Sequence, residues 1–280
     1  MAVRIIVDSS TDVSETYREK IREVPLSVCF GQTEYLDGVT LEKQEFYRKL
    51  VESDVLPTTS QATPAAFDAV FREVAEAGDS AVVITLASPL SGTYQSACLA
   101  AEDYDNIYVV DGMTVAVGTG VLAEFAANLA EQGMEAEKIA EMVTLKREDV
   151  RVIALLDTLE YLKKGGRISK TVAFAGGVLN IKPVVTFQDG QVQLIGKARG
   201  SRNGNNLLVE KINESGGVDF SKPVLLGYTG LSSALLDKYE ADSSSLWQGH
   251  TEKLERCLMC SVIGTHAGPG AVAVAFFRKA

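Results

Sequence analysis

Ala81-Val-Val-Ile-Thr-Leu86 reads as a strand, Ile107-Tyr-Val-Val110 as the next, and Val115 to Ala130 as the helix that follows. Arg4-Ile-Ile-Val7 supplies an earlier strand of the same kind. Between them Thr63-Pro64 marks a helix start, an N-cap hydroxyl with proline in the first turn. Phe67, Val70, Phe71 and Val74 then recur at helical spacing until Gly78 closes the segment. Strands alternating with helices predict a parallel, doubly wound sheet.

Further along the rhythm changes. Val152-Ile-Ala-Leu-Leu156 reads as a buried strand. Pro183-Val-Val-Thr-Phe187 and Val192-Gln-Leu-Ile195 flank Asp189-Gly190, a hairpin turn signal. Val224 to Tyr228 is a strand leading into a helix over Ala234 to Tyr239. Cys260 to Ile263 and Ala271 to Phe277 read as a closing strand pair across the glycine-rich turn Thr265-His-Ala-Gly-Pro-Gly270. The expected architecture is α/β in two domains: residues 1–160 as an N-terminal α/β domain and 161–280 as a C-terminal α+β domain.

The chain has 280 residues, enough for roughly two domains with cores of their own. A net charge of -10 argues against nucleic-acid binding, which needs a basic footprint. Four cysteines make no disulfide framework. The N-terminal stretch reaches Asp8 too soon for a signal peptide, and Met113 to Ala130, holding Glu124, falls short of the about 20 apolar residues of a membrane span. The expected location is the cytoplasm.

Polar clusters punctuate the strand ends: Asp8-Ser-Ser-Thr-Asp12, Ser88-Pro-Leu-Ser91-Gly-Thr93 and Asp111. Ligands of open α/β sheets bind beyond the carboxyl ends of the strands. Asp8 and Asp111 are expected to cap the next helices, whereas Ser91 stands beside Gly92, where the backbone can approach a ligand closely. Thr58-Thr59-Ser60-Gln61 precedes a helix start and reads equally as an anion site or an ordinary cap.

Of the two histidines, His250 among polar neighbours is a solvated residue, and His266 in its glycine-rich segment is the functional candidate. Cys257-Leu-Met-Cys260 has CxxC spacing but no second pair, so neither zinc nor redox chemistry is expected; in an extended segment the two thiols point to opposite faces. No dinucleotide fingerprint, P-loop, nucleophile elbow or HExxH is present, and no metal or cofactor is expected. From Lys163 to Arg202 the basic residues Lys163, Lys164, Arg167, Lys170, Lys182, Lys197, Arg199 and Arg202 face Asp189 alone, a segment of charge +7 in an otherwise acidic chain. Such a patch suits an anionic ligand or an acidic partner, or is simply a solvated face.

Taken in order, these segments resemble the DegV family of bacterial fatty-acid-binding proteins. The resemblance runs through Asp8 to Asp12, Asp37-Gly38, Thr59-Ser-Gln61 and Leu90-Ser-Gly-Thr-Tyr-Gln-Ser-Ala97. It continues through Asp157 to Ser169, Ile181-Lys-Pro183, Lys197-Ala-Arg-Gly200 and Gly264-Thr-His-Ala-Gly-Pro-Gly-Ala271. It implies two domains clasping one long-chain fatty acid in a tunnel, with no catalysis by the chain itself. It further implies presentation of the acyl carboxylate to a separate ATP-dependent fatty acid kinase for phospholipid synthesis, with transient membrane contact. By motif position the carboxylate-binding residues fall on Thr59, Ser91 and His266. The basic residues near the headgroup or the kinase fall on Arg167, Arg199 and Arg202. The competing readings are an acyl-transfer or hydrolytic enzyme with Ser91 as nucleophile and His266 as base, and a carrier of another apolar carboxylate.

Overall fold

The computed structural model describes residues 2–169, 180–250 and 254–279; Lys170 of the basic segment lies outside them. The first half runs β1 (Val3–Asp8), β2 (Ile21–Val24), β3 (Ser27–Phe30), β4 (Thr33–Leu36), α1 (Lys43–Glu52), β5 (Thr58–Ser60), α2 (Pro64–Glu76), β6 (Ser80–Thr85), α3 (Thr93–Ala101), β7 (Ile107–Asp111), α4 (Val117–Glu131) and α5 (Ala136–Lys146). Then follow β8 (Val150–Leu155), α6 (Glu160–Lys164), β9 (Ile181–Gln188), β10 (Gln191–Arg199), α7 (Ser201–Glu214), β11 (Val224–Tyr228), α8 (Ala234–Asp242), α9 (Ser244–Trp247), β12 (Glu255–Leu258), α10 (Ser261–Ala267) and β13 (Val272–Phe277).

The strand–helix alternation produces the expected parallel sheet, in the order β2-β1-β6-β7. Thr63 caps α2 by accepting from the Ala66 amide at 3.2 Å, and Phe67, Val70, Phe71 and Val74 are all buried. A second, mixed sheet has the order β10-β9-β8-β13-β11-β12, with β9 and β10 forming the hairpin across Asp189-Gly190. By pairing, β8 belongs to this second sheet, so the sheet starts ahead of the expected division at residue 160. A small antiparallel sheet, β4-β3-β5, stands beside them.

Strand periodicity sorts the second sheet into two faces. On β13, Val272, Val274 and Phe276 pack with α7 and α8, while Ala273, Ala275 and Phe277 join the core shared with α4 and the parallel sheet. On β8, Ile153 and Leu155 take the first face and Val152 and Ala154 the second. The side turned toward the parallel sheet is therefore built of small residues at its centre.

Three sequence expectations change. Cys260 to Ile263 is no strand: Cys260 is the N-cap of α10, its Sγ accepting from the Ile263 amide at 3.4 Å, and β13 pairs instead with β8 and β11. Cys257 lies in β12, so the two cysteines do not share one extended segment. Asp8 and Asp111 cap no helix. Asp8 accepts from the Ser10 and Leu86 amides at 3.0 and 2.7 Å, and Asp111 from those of Ser88 and Met113, so both knit the loops at the carboxyl edge of the parallel sheet.

Candidate functional site

Two elements far apart in sequence bring Thr59 and His266 together. Thr59 lies in β5, in register with Val28 of β3. His266 lies in the last turn of α10, whose first turn is anchored by carboxylates. Asp12 Oδ1 accepts from the Cys260 amide at 2.9 Å, and Asp37 Oδ1 from the Ser261 amide at 3.1 Å. Gly264 lets the helix sit directly on α1, because a Cβ there would stand 2.4 Å from Phe46 Cε1. With the helix so placed, His266 Nε2 is 2.9 Å from Thr59 Oγ1.

The other nitrogen, His266 Nδ1, is buried without a partner and faces Gly165, where a Cβ would approach it to 2.3 Å. Burial, reinforced by the Arg167 charge, lowers the imidazole to about 4, so it is neutral at neutral pH. A proton on Nδ1 would be a buried donor with no acceptor, so the Nε2–H tautomer is assigned. Nε2–H then donates to Thr59 Oγ1, which leaves the threonine hydroxyl proton free for an acceptor in the adjoining space.

The neighbouring groups close a ring of contacts. Arg167 Nη1 donates to Gly165 O at 2.7 Å, and its Nε to Leu90 O at 3.2 Å, next to Ser91. Ser91 Oγ lies 2.9 Å from Thr93 Oγ1 and accepts from the Thr93 amide at 3.3 Å, at the start of α3. Gly92 serves Gln61 rather than a ligand: the space of a Cβ is occupied by Gln61 Oε1, 2.1 Å away, while Gln61 Nε2 donates to Ser96 Oγ at 2.8 Å. Thr59, Gln61, Ser91, Arg167 and His266 thus form one polar cluster.

That cluster opens on a cavity of about 100 Å³. Beyond the polar end its walls are apolar: Val115 and Ala116 ahead of α4, Ala154 and Ala273 of the second sheet, Val185 and Phe187 of β9, and Val262 and Ile263 of α10. An apolar hollow with a few convergent polar groups at one end suits an amphipathic ligand with one polar terminus.

Of the residues picked from sequence, Thr59, Ser91, His266 and Arg167 line this cavity together. Arg199 and Arg202 do not: they are exposed, at the end of β10 and in the first turn of α7. His250 is exposed and stacks on Phe220, with ring centroids 4.3 Å apart. The Ser–His pair that acyl chemistry needs is not made among the described residues, since Ser91 bonds to Thr93 and His266 to Thr59. Burial pushes the Cys257 and Cys260 thiols well above their ordinary range, which keeps them protonated and unreactive. Among the described residues no group of three or more His, Cys, Asp or Glu could hold a metal ion, and no helix is long and apolar enough to cross a membrane. Sequence reasoning assigned no role to Gly165, Gln61, Asp37 or Lys43. Asp37 and Gln61 stand inside recognisable motifs, but their partners lie too far along the chain to be inferred.

Gly165 offers a direct test of the imidazole's position. Its φ of -75° admits alanine, yet the added methyl would displace His266. Gly165→Ala is expected to keep cooperative unfolding and to lose ligand retention at least about tenfold, as expected when a fixed polar contact is disrupted. Unchanged retention would show that the imidazole's placement is immaterial.

Residues 2–279 match the family model described as "Uncharacterised protein, DegV family". A DegV domain-containing protein of Caldanaerobacter subterraneus subsp. tengcongensis is 36% identical over 284 residues, covering 99% of both chains. The fold superposes with a TM-score of 0.86 on a fatty-acid-binding DegV family protein from Thermus thermophilus, 30% identical, over 99% of this chain and 100% of that one. It superposes equally, with a TM-score of 0.86 at 29% identity, on a stearic-acid-binding protein from Eubacterium ventriosum, over 100% of this chain and 99% of that one. The cavity, its polar end and these end-to-end matches agree: the chain belongs to the DegV family.

Proposed function

We propose that this protein binds one long-chain fatty acid in the cavity described, tail inward, with its carboxylate on the hydroxyls of Thr59 and Ser91. The observation that carries the reading is a polar cluster on the wall of a hollow otherwise lined, among the described residues, by mostly apolar side chains, with Thr59 and His266 joined at 2.9 Å. Burying a chain of about 16 carbons at about 0.8 kcal/mol per methylene yields roughly 12 kcal/mol gross, before association costs. The carboxyl must still find hydrogen-bond partners at the polar end. Thr59 can donate because His266 occupies its acceptor side, and Arg167 has donors to spare beyond Leu90 O and Gly165 O.

A carboxylate held by hydroxyls, one of them oriented by a neutral imidazole, rather than by a full arginine clamp, keeps an oxygen available for reaction. That supports the further proposal that the chain is a carrier. On this reading it presents the acid to a separate ATP-dependent kinase that forms the acyl phosphate, in the cytoplasm and with transient membrane contact. Arg199, Arg202, Lys163, Lys164 and Lys197 are exposed, which leaves them available to an acidic partner on this reading. We also propose two structural units, the first built on the parallel sheet and the second on the mixed sheet.

Native mass spectrometry of the protein expressed in bacteria, followed by denaturation, tests the ligand. One fatty acid per chain is expected in the wild type, with retention lowered at least about tenfold in Thr59→Val and Ser91→Ala. A ligand-free mass that also takes up no added fatty acid sinks the reading.

A further inference from the structure

Ser91 stands in the turn before α3 and Thr93 opens the helix, with their hydroxyl oxygens 2.9 Å apart. Either oxygen can donate, but their surroundings differ. Thr93 is 0% exposed, and among the described residues Ser91 Oγ is the only hydrogen-bond partner of its hydroxyl. Ser91 is half-buried and lines the cavity, whereas Thr93 is not among the lining residues. A donor buried without an acceptor loses its hydration and gains nothing in return, so the Thr93 proton is assigned to Ser91 Oγ.

Ser91 Oγ accepts from the Thr93 amide as well, at 3.3 Å. A hydroxyl oxygen offers two lone pairs and one proton. Thr93 fills both lone pairs, one from its side chain and one from its backbone, and the Ser91 proton is left for an acceptor in the cavity. The turn that holds this pattern is fixed from outside the helix. Gln61, two residues after Thr59, fills the space beside Gly92 and donates to Ser96 Oγ of α3 at 2.8 Å.

We propose that Thr93 is a positioning residue for ligand binding, its buried hydroxyl setting Ser91 as a proton donor toward the carboxylate. The inference rests on the fatty-acid reading above. Thr93 does for Ser91 what His266 does for Thr59, so both hydroxyls are set as donors before the ligand arrives. Two such donors suit a head group that only accepts, as an ionised carboxylate does. The chain from Thr93 through Ser91 to the carboxylate also runs in one direction, so each hydrogen bond polarises the next.

The test is the affinity of the full chain, stripped of lipid, for hexadecanoate, measured by titration alongside urea unfolding. Thr93→Val keeps the branched shape and the amide but removes the hydroxyl. It is expected to weaken binding about fivefold, the net worth of a typical hydrogen bond. Thr93→Ser keeps the hydroxyl and loses a methyl, and is expected to bind as the wild type does. A packing role predicts the opposite order, and a weaker Ser variant overturns the proposal. Tighter binding by Thr93→Val also overturns it, because Ser91 would then have been donating to Thr93. In a Ser91→Ala background Thr93→Val is expected to change binding no further, and a loss as large as in the parent overturns the route through Ser91. If Thr93→Val loses cooperative unfolding, Thr93→Ala takes its place: weaker binding than Thr93→Ser supports the hydroxyl, and equal affinities overturn it. A wild type that binds no hexadecanoate overturns the fatty-acid reading itself, whereas equal affinities in the wild type and every Thr93 variant overturn the role of Thr93 alone.

Discussion

Asp12→Ala is expected to destabilise the protein by about 3 kcal/mol and to lower its Tm by about 10 °C. Asp12 is fully buried at the carboxyl edge of the parallel sheet and holds two partners through one oxygen, Lys43 Nζ at 2.8 Å and the Cys260 amide at 2.9 Å. Burial raises the carboxyl and the Lys43 ammonium lowers it again, while Lys43 stays charged because Asp12 outweighs its own desolvation. Alanine leaves that ammonium with Leu258 O alone and the amide of Cys260, the N-cap of α10, without an acceptor. Breaking a buried pair from one side commonly costs about 3–5 kcal/mol, and the low end applies because the Lys43 side chain is 27% exposed. Since the same contact seats α10, fatty acid retention should fall with stability. Asp12→Asn keeps an acceptor for the Cys260 amide, so it should lose less in urea titration. Equal losses in the two variants would place the whole effect in the charge and none in the helix anchor.

The Asp12 contact also shows where sequence reading stops. Three strands of the parallel sheet were legible because β1, β6 and β7 are local apolar runs, the last two with a helix after them, whereas β2, Ile21-Arg-Glu-Val24, is too polar to be read. The β9–β10 hairpin was legible because Asp189-Gly190 supplies the turn. The segment after Cys260 misled: Ser261-Val-Ile263 has strand-like β-branched residues, and what makes it helical is non-local. Asp37 and Asp12 satisfy its first amides from more than 200 positions away, and Gly264 matters only because Phe46 stands opposite. Likewise Asp8 and Asp111 have the residue type and position of caps, but their acceptors were claimed by loop amides. Thr59, Ser91 and His266 were reachable through motif resemblance. The cavity was not, because it depends on which alternate residues of β8 and β13 face inward, and Ala154 and Ala273 look like any core alanine in the sequence.

Glu124→Gln is expected to stabilise the protein by about 3 kcal/mol at about pH 8 and to change it little near pH 4. Glu124 is 2% exposed within α4 and accepts from the Ser14 amide at 2.8 Å. Burial pushes its carboxyl from 4.5 up to about 7, against the smaller opposing effect of the Ser14 hydrogen bonds. Between those values the native state holds a proton that the unfolded chain has released, so stability falls as pH rises through the window and the loss is complete above about 7. Glutamine carries no charge to desolvate and still offers an oxygen to Ser14. Asp8, raised by burial to about 6, slopes the same way between 3.8 and 6, whereas His266, lowered to about 4, slopes the opposite way up to 6.5. Both are present in wild type and variant and cancel in the difference between their curves. Urea unfolding across a pH series therefore isolates Glu124 even where the wild-type profile is nearly flat. Parallel curves would mean that Glu124 ionises as freely in the fold as outside it, and that water reaches a carboxylate enclosed between Ser14 and the α4 core.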